Sequence, residues 1–290
     1  MNPFEAKGIF LNERTALKGL GVDPLNLLPD LLVDGGFHTI YYHILDGPRE
    51  KQVQTNWWPA RMFDPKWQPN TREEIIQAIQ AAGIQVVGWG MVYGNSPAEE
   101  GKMAARMVDK FGLTGWVIDV EQQLDLKPNA VELVRTIVST YRENCDKPIG
   151  YCSWPNFHNL HPVPVAETGM QLCDVGIPMA YVREKDLKEA PICTKEFVDK
   201  SIAEWRQFTD KPLVMAGRAF KEDGFTTTSE AILAFDQRIR ELGAVGSAWW
   251  FLDHAQPSTQ PTWWEALKST SPFNGRTIRS PERHSTDMLH

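Results

Sequence analysis

The chain has 290 residues, 42% hydrophobic and 23% charged, with a formal net charge of −7. That is ordinary globular composition, which excludes fibrous and disordered classes, and the negative balance argues against a general nucleic-acid binder. No apolar run approaches the roughly 18–20 residues needed to span a bilayer, so no membrane partner is expected.

The opening "MNPFEAKGIF" has no basic segment followed by an apolar one. Synthesis in the cytoplasm without a secretory signal is the expectation, with the final site open. "KGIFLN" (7–12) is a first strand. A helix follows around "DPLNLLPDLLVDGG", with Pro29 at a kink or in its first turn. "FHTIYYHIL" (37–45) is the second strand. In "TREEIIQAIQAAG", Thr71 and Glu74 form a capping box, and Ile75, Ile79 and Ala82 line one helical face. "IQVVGWGMV" (84–92) is the third strand.

The next helix, "SPAEEGKMAARMVDKFG", opens on Ser96 with Pro97 at its first position and Glu99 three residues after the cap; Gly112 ends it. "GWVIDVE" (115–121) is the fourth strand. Asn129 caps "NAVELVRTIVSTYREN", and "PIGYCSW" (148–154) is the fifth strand. A short helix near 164–172 leads to the sixth, "VGIPMAYV" (175–182). "TKEFVDKSIAEWRQF" is helical, and "PLVMAGRAF" (212–220) is the seventh strand. "TSEAILAFDQRIRELG" is a helix stopped by Gly243, before the eighth strand "AVGSAWWFLD" (244–253) and a last helix "PTWWEALKS".

Eight apolar strands alternating with helices require parallel pairing through right-handed crossovers. The count and length match a single α/β domain, a (β/α)8 TIM barrel, over residues 1–273. A doubly wound open sheet is the alternative, but its G-x-G-x-x-G turn is missing from "NERTALKGLG" after strand one. The polar tail 274–290 lacks periodicity and reads as an appendage.

Barrel active sites lie at the C-terminal ends of the strands. Side chains alternate along a strand, so Asp119 and Glu121 point one way, roughly 6–7 Å apart along the chain, while Val120 points towards the helices. Two carboxylates this close resist joint ionisation, and one keeps a proton near neutral pH. That suits a general acid beside an electrostatic partner, as glycoside hydrolysis needs. A solvated strand-to-loop junction is the plainer reading of a D-x-E.

The other strand ends supply a polar and aromatic rim. Strand two offers His43 and Asp46. Strand three offers Trp89 and Tyr93, and strand five Tyr151 and Trp154. Met179 and Tyr181 end strand six, and Arg218 ends strand seven. Strand eight offers Trp249 or Trp250, of which only one can face inward, then Asp253; Trp249 is assigned to the wall. Rings that stack on sugar C–H faces, with polar groups for hydroxyls, are what a carbohydrate cleft requires.

No metal or other cofactor is implied. The histidines are scattered, though His43, Asp46, Asp119 and His254 could meet in space, which keeps a metal-assisted hydrolase as a further alternative; the four cysteines (145, 152, 173, 193) lack C-x-x-C spacing and read as buried thiols. No G-x-S-x-G elbow points to serine catalysis.

The pattern resembles the family 18 and family 25 glycoside hydrolases, barrels that act on N-acetylated sugars. Family 18 carries DGxDxDxE on strand four. In "TGWVIDVE", Gly115, Asp119 and Glu121 match, while Thr114 and Val117 replace two of the family's acids. "PMAY" supplies the M-x-Y of strand six, and "GSAWWFLD" a strand-eight Trp. Family 25 has a simpler D-x-E close to "IDVEQQ", but its strand-one Asp has no match in "KGIFLNE". The resemblance implies a distant or unclassified glycosidase of chitin-like, peptidoglycan-like or N-glycan material. It implies Glu121 as proton donor, Asp119 orienting the substrate acetamido group, and Tyr181 hydrogen-bonding that group. A phage-lysin-like release would reconcile an extracellular substrate with the absent signal. A barrel that binds carbohydrate, or plays a structural part, without catalysis is the competing reading.

Overall fold

The computed structural model describes residues 2–12, 24–50, 72–155, 161–182, 186–222 and 224–273. Thr71, expected as a cap, and the tail 274–290 lie outside them. Eight parallel strands close into a ring: β1 (Lys7–Leu11), β2 (Thr39–Asp46), β4 (Gln85–Met91), β5 (Gly115–Asp119), β6 (Ile149–Ser153), β7 (Val175–Ala180), β8 (Val214–Arg218) and β9 (Gly246–Trp250). Each pairs with its neighbour, and β1 closes the ring by pairing with both β2 and β9. The two-residue β3 (Arg49–Glu50) runs antiparallel to the end of β2, beside the barrel. The eight strands read from the sequence are thus the eight staves of a (β/α)8 barrel.

Both faces of each strand are buried, which is why the strands are apolar throughout. Phe10, Tyr41, Val87, Val117, Ile177, Val214 and Ala248 face inward, over Phe4. Their neighbours Ile9, Ile40, Val86, Trp116 and Ile118 face outward against the helices. Burying each such large side chain contributes about 1.5–3 kcal/mol.

Helices 97–110 and 130–144 meet at Gly101, where an added Cβ would lie 2.3 Å from the Ile137 carbonyl oxygen. A larger residue there would push the two helices apart. Helix 97–110 ends through Gly112 at φ +59, and helix 229–241 through Gly243 at φ +75, as their positions in sequence lead one to expect. Helix 24–34 runs through Pro29, which sits beyond its first turn.

Two expected caps differ. Ser96 makes no side-chain cap, and Glu99 pairs with Lys102 instead of closing a capping box. The neighbouring Glu100, fully buried, does that work. Its carboxylate accepts amide hydrogen bonds from Tyr93, Gly94, Asn95 and Ser96, at 3.0–3.5 Å. The loop after β4 folds back over the helix start, so the residue pointing inward collects the free amides. Asn129 likewise caps with its carbonyl, not its side chain, accepting from Glu132 and Leu133.

Glu100→Ala would leave several buried donors unmatched and is expected to lower stability by about 3 kcal/mol, whereas Glu99→Ala stays within about 0.5 kcal/mol. Urea midpoints of the two variants check the contrast.

Candidate active site

The chain around the carboxylate pair is fixed by backbone bonds on both sides. The Val120 amide donates to the Cys152 carbonyl at 2.9 Å, and the Ser153 hydroxyl donates to the Val120 carbonyl at 2.9 Å. Val120 packs outward, as the alternation requires. Glu121 stays extended, with φ −122 and ψ −175, and its carbonyl then accepts from the Leu124 and Asp125 amides. The chain therefore holds β geometry for two residues past the ladder of β5 and turns only after Glu121 has been delivered to the same side as Asp119.

Both carboxylates line one cavity of about 330 Å³ at the C-terminal end of the barrel. Its wall includes Trp154, Met179, Tyr181, Arg218 and Trp250. Asp119 lies deep, 7% exposed, and its Oδ1 has no hydrogen-bond partner among the described residues. Beneath it stand Val117 and other apolar side chains of the barrel interior. Burial, and then the charge of Glu121, hold the Asp119 carboxyl well above the usual carboxylate range. Glu121 is nearer the mouth. Burial raises its pKa, the charge of His161 opposes that, and Asp125 and Glu222 add to it.

Tyr181 completes the inner wall, edge-on to Trp154 at 5.6 Å and to Phe220 at 5.4 Å. Arg218 is a tie as much as a wall. It donates to the carbonyls of Val182, Phe220, Glu222 and Phe225, and lies 4.2 Å from the Phe220 ring centre. Cys152, paired in register with Asp119, lines the cavity as a free thiol.

Five expected contact residues form a layer behind or beside the cavity. His43 stacks on Trp89 at 3.9 Å, and Trp89 meets Trp250 edge-on at 5.1 Å. Trp89 donates to the Leu11 carbonyl. The Tyr93 hydroxyl donates to Asp46 at 2.6 Å, and burial with this bond pushes its pKa up to about 12. Asp253 accepts from the Asn12 amide. Of the five, Trp89 touches the wall, through Phe10 and Trp250.

Two expected contacts are overturned. Tyr151 and Trp249 point outward into the helix layer. Tyr151 packs against Gly169 and Trp205, and Trp249 against Phe235. The inward residues of their strands are Cys152 with Trp154, and Trp250. The peptide bond between Trp250 and Phe251 is cis.

Sequence reasoning missed Phe10, Cys152, Phe220, Glu222 and Phe225 on the wall. It also missed a buried Asp125–His161 pair, joined through Nδ1, beside Glu121. Its members stand 36 positions apart, so no local motif flags them. Among the described residues, no group of three or more His, Cys, Asp or Glu side chains is placed to hold a metal ion. No described helix is long and apolar enough to cross a membrane.

A carboxyl with a raised pKa in the folded state adds stability below its unfolded value and loses it as pH rises through the folded value. The Asp119 contribution is thus full below 3.8 and fades above it. Asp119→Asn should remove this slope and raise stability near neutral pH by about 1 kcal/mol, read from thermal melts across pH. Trp249→Phe should leave a gap in the helix layer against Phe235 and lower stability, read from the same melts.

No protein-family model matches the chain, and no curated protein matches it. Solved structures do resemble it in fold. A GH18 chitinase from Pseudoalteromonas aurantia is 14% identical, with a TM-score of 0.61, over 91% of this chain and 99% of that one. A GH113 beta-1,4-mannanase is 11% identical, with a TM-score of 0.60, over 93% and 100%. A xylanase-alpha-amylase inhibitor protein in complex with trehalose is 12% identical, with a TM-score of 0.57, over 90% and 95%. At such identities the likeness is one of fold: this chain has the barrel that these glycoside hydrolases and the inhibitor have.

Proposed function

We propose that the protein is a glycoside hydrolase acting on a glycan with N-acetylated sugars, chitin-like or peptidoglycan-like, with Glu121 as the general acid. The observation that carries this reading is the pair Asp119 and Glu121 on one inward face, sharing an aromatic-walled cavity with Tyr181. The likeness of fold to a chitinase and a mannanase supports it.

In this reading the glycosidic oxygen lies against Glu121, whose carboxyl is shifted by burial toward the protonated form that can donate. That proton passes to the leaving oxygen as the bond to the anomeric carbon breaks. The substrate's own acetamido oxygen attacks that carbon from the opposite face, the substrate-assisted exception to the two-carboxylate scheme. Asp119 faces the acetamido N–H and balances the positive charge that develops there. The Tyr181 hydroxyl holds the acetamido oxygen in line. Water then attacks the anomeric carbon, the bond from that carbon to the acetamido oxygen breaks, and the water's proton returns to Glu121, so configuration is retained. Trp250 and Trp154 offer ring faces for the sugar.

A second reading, a barrel that binds carbohydrate without cutting it, draws on Val117. It puts an apolar side chain under Asp119 where family 18 has an acid. The likeness to an inhibitor bound to trehalose points the same way.

Glu121→Gln separates the two. A general acid's removal should cut the turnover of chitin oligomers or peptidoglycan by about 10² to 10⁴ while KM moves little. Wild-type activity should fall on the alkaline side, as pH rises through the raised Glu121 pKa, because only the protonated acid can donate. Binding by both proteins with no product after long incubation would instead establish the second reading.

A further inference from the structure

The cavity holds a third carboxylate that the reaction above does not use. Glu222 lies in the segment that follows β8, exposed at the mouth, with its side chain on the cavity wall. Its position is built. Glu222 and Phe225 exchange backbone hydrogen bonds at 3.0 and 2.9 Å, and Arg218 donates to both of their carbonyls. The Glu222 carboxylate is therefore carried by a braced turn, at an opening whose deep wall holds Asp119, with an unpartnered buried Oδ1, and Glu121. It shares the wall with Glu121, and the amide of the preceding Lys221 donates to His254 Nδ1 at 3.4 Å.

The cavity's charge follows by counting. If Asp119 and Glu121 share one proton, the pair carries one negative charge. Glu222 adds a second, and Arg218 is the only cation on this wall among the described residues. The guanidinium N–H groups of Arg218 already point at backbone carbonyls, so it offers a bound anion little. Counted over the described residues, the wall is net negative. A sugar carboxylate would meet like charge there, whereas a hydroxyl, an amide N–H or an ammonium would find acceptors.

We propose that Glu222 makes this cavity select against acidic glycans, so that the sugar bound there is a neutral or amine-bearing hexosamine and not a muramic or uronic acid. The proposal rests on the carbohydrate reading above and narrows it from chitin-like or peptidoglycan-like to chitin-like, including partly deacetylated chains.

The test measures binding apart from turnover, by calorimetry on Glu121→Gln protein. The probes are a fully acetylated N-acetylglucosamine hexamer, its deacetylated counterpart below the pKa of its amines, and a glycan chain bearing muramic acid. The two hexamers should bind, the amine-bearing one at least as tightly, and the muramic acid chain about fivefold more weakly or worse, the effect expected of one charge at a partly exposed site. A second substitution, Glu222→Gln, should narrow that gap, and high salt should narrow it in the Glu222 protein alone. Glu222 is exposed, so this substitution leaves the fold in place. Equal or tighter binding of the muramic acid chain, or a gap unmoved by Glu222→Gln, overturns this inference and leaves the hydrolase reading standing. Binding of none of the three overturns both. Undiminished hydrolysis by Glu121→Gln overturns only the assignment of the proton donor.

Discussion

Closure of the sheet is the constraint from which the rest follows. Once β1 pairs with both β2 and β9, every strand has an inside and an outside, and neither is wet. Each residue in turn must join the barrel core or the helix layer. That rule puts Val117 inside, Ile118 outside, Asp119 inside, Val120 outside and Glu121 at the opening. Two ionisable groups reach a desolvated position because the strand cannot present Ile118 and Val120 to the helices without doing so.

Burial of that kind opposes stability, and the surroundings offset only part of it. Glu100, equally buried, is surrounded by backbone amides that donate to its carboxylate. Asp119 has no comparable shell on Oδ1, and apolar side chains stand beneath it. The contrast separates a carboxylate that serves the fold from one that the fold tolerates. Groups held away from their best environment are what chemistry at a site requires, and they are rare elsewhere in a chain.

The fold was legible in the sequence because both periods are strong and the helix stops are marked by glycine. The carboxylate pair was legible for the same reason: D-x-E places both acids on one face whatever its phase, and Val120 between them settles which. The aromatic wall was harder. Tyr151 and Trp154 differ in parity, so both could not face inward, and the apolar run gives no clue to its phase. Trp249 and Trp250 pose the same problem, and the helix layer took the first. In β2, the register shift between His43 and Leu45 breaks the alternation before Asp46, which no local signal announces. Asp125–His161 and Glu222 depend on turns and on partners distant in sequence, where periodicity says nothing.

The bonding of Arg218 bears on how a ligand gets in. One guanidinium joins the segment after β7, at Val182, to the segment after β8, at Phe220, Glu222 and Phe225. These stretches cannot swing apart separately without stranding a buried cation. Val182, Phe220, Glu222 and Phe225 are thereby fixed to one another, so for a ligand of the kind proposed this part of the wall would be ready-made before it arrives.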